Sequence, residues 1–353
     1  MNKLITGIGI LFLSGMVSAS AQMQYVDNDA CQDDLSLSTP KFTREASPLD
    51  TLRKYILTPK APDTPRINGA KVFGVRPGSQ FLYTIPATGI RPMTFSVENL
   101  PKGLKVNTET GRITGSIQKA GEYIVTFIAK NSLGEAKRNF KIVVGDKIAF
   151  TPPMGWNSWN CWGHAVSQEK VLSSAKAMVE KGLINHGWQY INIDDGWQGL
   201  RGGKYNGVMT NSKFPDMKGL ADAVHAMGLK IGIYSGPWVG TYAGHIGAYC
   251  DNSDGTYDWV ERYANEYYRY VDTTKQTKHG VNYHHGKYSF VKNDVRQWME
   301  WGIDYLKYDW NPNDVYHVTE MHDALRSHNR DVVFSLSNSA PWGDAIQWER
   351  LAN

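Results

Sequence analysis

The chain has 353 residues, of which 41% are hydrophobic and 20% charged, and these values are typical of a globular protein with two or three domains. The formal net charge is only +4 and forms no basic block, so charge gives no reason to expect a nucleic acid or an anionic membrane as partner. Aromatic residues make up 12% of the chain. Such rings build cores, and they also form the walls of pockets for polar ligands.

The first 21 residues have the pattern of a signal peptide. Lys3 provides the positive charge, LITGIGILFLSGMV is the apolar stretch, and the ASA at 19–21 is a cleavage site that would leave Gln22 as the first mature residue. The sequence has no later stretch that is long and apolar enough to span a bilayer. We therefore expect an exported protein, periplasmic or extracellular, that is not held by a membrane after the signal is removed.

Two different patterns follow a polar, proline-rich segment at 22–65. Residues 66–146 consist of short alternating stretches separated by Gly, Pro and Asn, and Val125, Phe127 and Ala129 share one face of such a stretch. This pattern predicts a small antiparallel β-sandwich. The sandwich sequence contains no catalytic cluster, so we expect a packing or spacer module. Glycan binding by this domain is the less favoured alternative.

Residues 148–353 instead alternate between strand and helix patterns, which predicts a parallel sheet. A long irregular segment separates the third strand from the fourth. No glycine-rich phosphate loop follows any strand, so a nucleotide-binding fold is disfavoured. Polar and aromatic residues gather at the carboxyl ends of the strands, where barrel enzymes build their sites. The five predicted strands are MGWNSW, QYINIDDGW, LKIGIYS, IDYLKYDW and DVVFSLS.

The fourth strand carries a lysine and a carboxylate on one face. Lys307 and Asp309 are two residues apart, and strand side chains alternate with period 2, so both point to the same side. A buried lysine and carboxylate need each other or a ligand. One interpretation is a structural ion pair. The other is a catalytic carboxylate that the nearby ammonium keeps ionised, which suits a nucleophile.

Three other strand ends offer groups that suit a sugar. Asp194 and Asp195 could accept hydrogen bonds from neighbouring hydroxyls, although Asp before Gly is also ordinary turn chemistry. Trp156 could cover the apolar side of a sugar ring, and Tyr234 could offer its hydroxyl. Taken singly, each of these aromatic residues is better explained by core packing.

The sequence predicts no metal site and no cofactor, because no spacing of His, Cys or carboxylates matches a metal motif. The chain has three cysteines, Cys31, Cys161 and Cys250. Export would permit a disulfide between Cys161 and Cys250, but an odd count leaves at least one thiol free, and unpaired cysteines are equally expected.

Five motifs, taken in their order, resemble a known family. They are TPPMGWNSWNCWG, YINIDDGWQ, KFPDMKGLADAVHAMGLKIGIYS, WGIDYLKYDW and VVFSLSNSAP. Through these motifs residues 150–353 closely resemble glycoside hydrolase family 27, which holds α-galactosidases and α-N-acetylgalactosaminidases. The segments LPKGLKVNTETGRITGSI and GEYIVTFIAKNSLGEA resemble immunoglobulin-like modules attached to bacterial glycoside hydrolases.

The resemblance implies a fold and an activity. The fold would be an immunoglobulin-like sandwich followed by an incomplete (β/α)8 TIM barrel with about five of its eight strands. The activity would be retaining hydrolysis of terminal α-galactosides, with a carbohydrate as the partner molecule. By motif match Asp309 is the nucleophile, and the acid pair favours a hexose with an axial 4-hydroxyl and a free 6-hydroxyl. The sugar ring would be bound by Trp156, Asp194, Asp195, Tyr234 and Lys307.

Two departures from the family pattern bear on specificity. Many α-galactosidases have a glutamate after the fifth strand that reads the 2-hydroxyl, whereas this chain has Ser337 there and Ala340 three residues on. Small residues at these positions leave room for a 2-acetamido group, so α-N-acetylgalactosaminidase is the alternative activity. The segment between Tyr234 and Asp294 is also longer than the usual family loop, and it could reshape the leaving-group side of the pocket.

The remaining expectation concerns the second catalytic carboxyl group. A retaining glycosidase needs a nucleophile and an acid/base about 5–5.5 Å apart. The family places its acid/base aspartate on the next strand, after a segment like WERLAN, and this sequence stops there. Asp344 and Glu349 do not match the motif. We therefore expect the acid/base beyond residue 353, and a non-catalytic truncated fragment is the further alternative.

Overall fold

The computed structural model describes residues 60–258, 260–262, 268–270 and 283–353. The predicted signal peptide at 1–21, almost all of segment 22–65, and Cys31 lie outside the described residues. Among the residues that are described, no helix combines the length and the apolar character needed to cross a bilayer.

The first part of the described chain is a β-sandwich. Its larger sheet has the order β2-β9-β8-β5 and its smaller sheet the order β3-β7-β6, while β1 pairs with β4. The longest pairing is the antiparallel β8–β9 hairpin. The strands are β1 (Arg66–Ile67), β2 (Val72–Val75), β3 (Phe81–Thr84), β4 (Ala87–Thr88), β5 (Thr94–Glu98), β6 (Leu104–Val106), β7 (Arg112–Gly115), β8 (Gly121–Asn131) and β9 (Gly134–Val144).

Strict alternation fixes which face of β8 enters the sandwich core. Val125, Phe127 and Ala129 are fully buried, whereas Ile124 on the other face is 54% exposed. A shift of one residue would exchange these faces, so the apolar row sets the register. Phe127 stacks on Phe140 with ring centroids 4.3 Å apart. The shared face predicted for these residues is thus the core face, and the predicted sandwich is present. It is not antiparallel throughout, because β2 pairs with β9 in parallel.

The second part alternates strands and helices, as predicted. Five of its strands form one parallel sheet in the order β10-β11-β14-β19-β20. The strands of this part are β10 (Gly155–Asn157), β11 (Tyr190–Asn192), β12 (Gln198–Gly202), β13 (Gly207–Thr210), β14 (Lys230–Ser235), β15 (Tyr249–Cys250), β16 (Val260–Arg262), β17 (Tyr268–Tyr270), β18 (Tyr288–Ser289), β19 (Tyr305–Tyr308) and β20 (Val333–Leu336).

Helices connect the strands of the parallel sheet and cover its core. Several begin at the cap that the sequence supplies: Ser167 Oγ accepts from the backbone N–H of Lys170 at 3.3 Å, and Asp314 Oδ1 accepts from that of His317 at 3.0 Å. The helices are α1 (Trp159–Trp162), α2 (Gln168–Glu180), α3 (Met217–Ala226), α4 (Val291–Trp301), α5 (Val315–Arg326) and α6 (Ala345–Leu351).

The loops hold structure that the sequence patterns did not reveal. Strands β12 and β13 form a hairpin between β11 and α3. The long segment after β14 contains the short pairs β15–β18 and β16–β17. Cys161 and Cys250 are both free, so the disulfide considered between them is not formed. The buried Cys250 thiol instead donates to the carbonyl of Thr256 at 3.0 Å.

Within the described residues, β10 and β20 are the outer strands of the parallel sheet. Asn353 provides hydrogen-bond partners for the backbone on the outer side of β20. Its backbone N–H donates to the carbonyl of Phe334 at 2.8 Å. The Asn353 side chain accepts from the backbone N–H of Phe334 at 3.0 Å. Five parallel strands are thus observed where about five were predicted.

The sandwich packs against the amino ends of the parallel strands. Thr84 donates to the carbonyl of Gly228, just before β14, at 2.9 Å. Arg76 forms an ion pair with Asp331, just before β20, at 2.6 Å. These contacts therefore leave the opposite ends of the strands, the carboxyl ends, uncovered by the sandwich.

Candidate active site

All seven predicted site residues lie in or shortly after strands of the parallel sheet. Tyr234 in β14 is the register partner of Lys307 in β19. Asp194 and Asp195 follow β11, Asp309 follows β19, and Ser337 follows β20. Because the carboxyl ends of parallel strands meet at one edge of the sheet, residues far apart in sequence approach one another here.

Lys307 joins two carboxylates. Its Nζ lies 3.0 Å from Asp194 Oδ2 and 3.5 Å from Asp309 Oδ2. Burial alone would lower the pKa of Lys307, but the charges of Asp194 and Asp309 outweigh it and raise the pKa. The predicted pairing of Lys307 with Asp309 is present, and Asp194 is a closer partner that spacing on the strand did not indicate.

Asp194 is fixed by several neighbours. Asn157 Nδ2 donates to its Oδ2 at 2.8 Å, and the backbone N–H of Asp195 donates to its Oδ1 at 2.9 Å. The backbone N–H of Asp194 donates to Ser158 Oγ at 2.9 Å. A carboxylate held this way positions Lys307. Asn157 and Ser158 were not predicted as site residues, although both lie in the quoted GWNSW motif.

Asp195 is the most deeply buried acid of the site, with 1% of its surface exposed. The backbone N–H of Ala243 donates to its Oδ2 at 2.7 Å. Its Oδ1 is buried and has no hydrogen-bond partner among the described residues. Burial raises the pKa of Asp195 to about 7, and the nearby charges of Asp194 and Asp309 act in the same direction. Such a carboxyl group can accept a hydrogen bond from a hydroxyl or donate one to it.

Tyr234 forms a wall beside this charged group. It is 1% exposed, and Lys307 Nζ lies 5.1 Å from the centroid of its ring. Burial raises the pKa of its hydroxyl, and the charges of Asp195 and Asp309 add to that rise. The Tyr234 carbonyl accepts from Trp197 Nε1 at 3.0 Å, which fixes the strand end against the core.

Trp156 and Ser337 stand at the two outer strands. Trp156 is half-buried in β10 and packs against the hydrophobic core of the parallel-sheet part. The backbone N–H of Ser337 donates to the Tyr308 carbonyl at 3.1 Å, and its hydroxyl lies 3.4 Å from Asn313 Oδ1. Both residues are placed at the correct edge, while the direct contacts join Asp194, Lys307 and Asp309.

Asp344 and Glu349, the two acids near the end of the sequence that do not match the acid/base motif, lie apart from Asp194, Lys307 and Asp309. Glu349 is 75% exposed and faces Lys147 at 3.9 Å. Asp344 belongs to a short 3₁₀ turn at Trp342–Asp344. Neither of them contacts Asp309 among the interactions of the described residues.

One cluster of the described residues has the composition of a metal site: His285, Asp314 and His317. The two imidazole rings are stacked, with centroids 3.7 Å apart and an angle of 11° between their planes. Lone pairs of parallel rings point side by side and do not converge on one ion at the ~2.0–2.1 Å that zinc requires. In this arrangement the cluster is better described as a hydrogen-bonded group, with Asp314 Oδ2 2.7 Å from His317 Nδ1.

Comparison with known families identifies two segments. Residues 64–145 match the model described as "Putative Ig domain", and residues 151–267 match the model described as "Alpha galactosidase A". Each match agrees with the part of the fold in which it lies, the β-sandwich and the start of the parallel sheet.

Curated relatives point the same way. Over 213 residues the chain is 36% identical to Alpha-galactosidase A of Cellvibrio japonicus, covering 58% of this chain and 41% of that one. Over 211 residues it is 32% identical to the probable alpha-galactosidase of Dictyostelium discoideum, covering 57% and 43%. The chain thus spans less than half the length of these two relatives.

Solved structures extend the similarity across both parts of the fold. One from Bacteroides fragilis, described as a "putative alpha-galactosidase", superposes with a TM-score of 0.67 at 33% identity, covering 83% of this chain and 56% of that one. A second from the same organism, an alpha-galactosidase/melibiase, gives 0.65 at 35% identity, covering 81% and 54%. The predicted resemblance is therefore confirmed: the chain is related to the α-galactosidases, with an immunoglobulin-like domain in front.

Proposed function

We propose that the chain is part of an exported retaining glycosidase that cleaves terminal α-galactosides through a covalent intermediate on Asp309. The observation that carries the proposal is the row Asp194–Lys307–Asp309 at the strand ends, with the buried Asp195 beside it. The similarity to α-galactosidases supports the substrate class.

The geometry suits the chemistry of a nucleophile. Lys307 Nζ lies 3.5 Å from Asp309 but closer, at 3.0 Å, to Asp194, so Asp309 retains freedom to attack. In the first step an Asp309 oxygen would bond to the anomeric carbon while the bond to the leaving oxygen breaks and that oxygen takes a proton from an acid. Water would then release the sugar and restore Asp309. None of the described residues is assigned as that acid.

The remaining site residues suit recognition of the sugar. Asp195 offers a buried oxygen without a partner, which a hydroxyl would satisfy. Asp194 and Lys307 offer charged hydrogen-bonding groups, and Tyr234 and Trp156 offer aromatic surface. An axial 4-hydroxyl and a 6-hydroxyl are the groups that this acid pair would receive. The partner is a carbohydrate, and no cofactor takes part in the proposed reaction.

The nucleophile is tested with nitrophenyl α-galactoside and the protein made from the whole coding region. We expect Asp309→Asn to lower kcat at least about a thousandfold. Asp309→Gly should regain turnover with azide, which attacks the anomeric carbon in place of the carboxylate and gives the β-galactosyl azide. Asp222→Asn, at an exposed ion pair on α3, is the matched control and should keep full activity. Wild-type turnover by Asp309→Asn would show that the assignment is wrong.

One observation favours a second substrate. Ser337 and Ala340 are small and both are half-buried, which leaves room for a 2-acetamido group beside the site. Comparing kcat/KM for nitrophenyl α-galactoside and nitrophenyl α-N-acetylgalactosaminide decides between the two sugars. Turnover of either one by the 353-residue chain alone would contradict the alternative that it is a non-catalytic fragment.

Export is a separate proposal that rests on the first 21 residues. The charged, apolar and ASA segments support cleavage after Ala21, which directs the mature protein to the periplasm or the medium. N-terminal sequencing of the mature protein should begin at Gln22. A mature protein that retains Met1 or Asn2 would contradict cleavage.

A further inference from the structure

Three aromatic rings meet in the long segment after β14. Trp238 and Tyr283 are stacked, with centroids 5.0 Å apart and 21° between planes. Tyr242 meets Trp238 at 5.5 Å and Tyr283 at 5.3 Å. We call these three residues the loop aromatic cluster. It belongs to the segment that exceeds the usual family loop, and none of the site contacts described above uses it.

The backbone under the loop aromatic cluster is held in place. Trp238 forms a β-bridge with His285, and Gly240 forms one with Ile246. The backbone N–H of Val239 donates to the His284 carbonyl at 3.0 Å, and that of Thr241 to the His245 carbonyl at 2.7 Å. The backbone at 238–246 and 284–285 is therefore fixed by hydrogen bonds, which lowers the entropy cost for a ligand that stacks on the rings.

The same loop is tied to both sides of the candidate active site. Ala243, next to Tyr242, donates its backbone N–H to Asp195 at 2.7 Å. The start of the loop lies beside the proposed nucleophile, because the backbone N–H of Asp309 donates to the Ser235 carbonyl at 2.9 Å. The carboxylate of Asp309 is near enough to help raise the pKa of the Tyr242 hydroxyl to about 12, after the larger effect of burial.

The three rings of the loop aromatic cluster differ in solvent exposure, and Tyr242 is the one most accessible to a ligand. Trp238 is only 8% exposed, whereas Tyr242 is 42% exposed. Trp238 and Tyr283 thus pack against Tyr242 from inside, while a large part of the Tyr242 ring stays exposed to solvent. A ring of this kind offers an apolar face and a polar tip, the combination that suits the face of a pyranose.

We propose that the loop aromatic cluster binds the sugar that leaves in the reaction, with Tyr242 stacking on its pyranose ring. This inference rests on the proposed function, since it assigns the leaving-group side of the same site. Asp195 and the cluster then lie on the two sides of the scissile bond. The preferred substrate is an α-galactosyl di- or oligosaccharide whose second sugar can lie flat on Tyr242.

The test compares two substrates that differ in the leaving group. α-Galactosyl fluoride has no leaving ring, whereas melibiose, α-galactosyl-1,6-glucose, has one. In the protein made from the whole coding region, Tyr242→Ala should lower kcat/KM for melibiose about 3- to 10-fold, mainly through KM. The value for the fluoride should stay within about twofold, the scatter that we allow for no effect. Tyr242→Trp should restore the melibiose value, and Tyr123→Ala, in the sandwich sheet, is the aromatic control.

Other outcomes would contradict either the role of Tyr242 or the proposed function. Equal losses on both substrates would mean that Tyr242 only supports the loop, and no loss on melibiose would mean that no sugar stacks there; either overturns this inference and leaves the proposed function intact. A wild type that hydrolyses neither substrate would overturn the proposed function.

In that case titration calorimetry tests whether the loop aromatic cluster binds sugar. Melibiose should bind the wild type more tightly than galactose, and Tyr242→Ala should remove the difference. Equal binding of both sugars by the wild type would reject the cluster as a binding site.

Discussion

A single ammonium group organises the candidate site. Lys307 is 29% exposed, and its two partners are unequal: Asp194 is 3% exposed and 3.0 Å away, while Asp309 is 16% exposed and 3.5 Å away. The more buried carboxylate is also the closer partner of the lysine. Both interpretations of the sequence therefore have a counterpart here: a buried ion pair with Asp194, and a more exposed carboxylate, Asp309, that we propose as the nucleophile.

The pKa of Asp195 gives the first prediction at this scale. In the folded chain it is raised from 3.8 to about 7, so the folded state binds this proton more tightly than the unfolded state. Its contribution to stability is full below about pH 4 and is lost as pH rises to 7, by up to about 4 kcal/mol. Asp195→Asn has no such loss, so its stability relative to wild type should rise between pH 4 and 7.

Urea unfolding of both proteins at pH 4, 5.5, 7 and 8 measures this difference. The gain should level off above pH 7, where wild-type Asp195 is ionised in both states. Asp222→Asn, which alters an exposed acid on α3, should track the wild type at every pH. A difference between Asp195→Asn and wild type that does not change with pH would show that Asp195 is not protonated more readily in the folded chain.

At the scale of elements, the parallel strands and their connecting helices were predictable, and the structure within the loops was not. Each parallel strand has an apolar run that ends in a polar or aromatic residue, so the run predicts the strand and its end predicts the site. Ala243 was missed because it contributes a backbone N–H, which no side-chain pattern records. The β12–β13 hairpin was missed because its alternation is short and interrupted by glycines. The open question about Cys161 and Cys250 needed coordinates.

A buried ion pair holds the elements around the long segment together. Arg201 in β12 and Asp294 in α4 are 2.5 Å apart, with 1% and 0% of their side chains exposed. Arg201 also donates to the Tyr257 hydroxyl at 2.9 Å and to the Gly247 carbonyl at 2.6 Å. The pair therefore joins a hairpin, a helix and the loop that carries Tyr242.

Removing one partner should cost more than removing both. We expect Arg201→Met to lower the free energy of unfolding by about 3–5 kcal/mol, because Asp294 would stay buried without its counter-charge. Arg201→Met with Asp294→Leu should cost clearly less than the sum of the two single changes, as measured by urea unfolding of all four proteins. A loss of less than about 1 kcal/mol in Arg201→Met, the size found for exposed pairs, would contradict a structural role for this pair.

At the scale of the whole molecule, the two parts of the described chain divide their tasks by position. The sandwich contacts the amino ends of the parallel strands through Thr84 and Arg76, whereas the candidate site lies at the carboxyl ends. This arrangement agrees with the expected packing role of the sandwich and places these contacts at the end of the sheet opposite the candidate site. The two parts also belong to one compact unit, so they should unfold together.

Arg76 is the residue through which that coupling can be tested. Besides its pair with Asp331, it donates to the carbonyls of Arg326, His328 and Arg330, and it is only 14% exposed. We expect Arg76→Ala to cost about 2–4 kcal/mol, since several charged hydrogen bonds are lost together. Calorimetry should then show two transitions where the wild type shows one. Lys137→Ala breaks an exposed pair within the sandwich and should leave one transition. A single, unshifted transition in Arg76→Ala would mean that other contacts couple the sandwich to the parallel sheet.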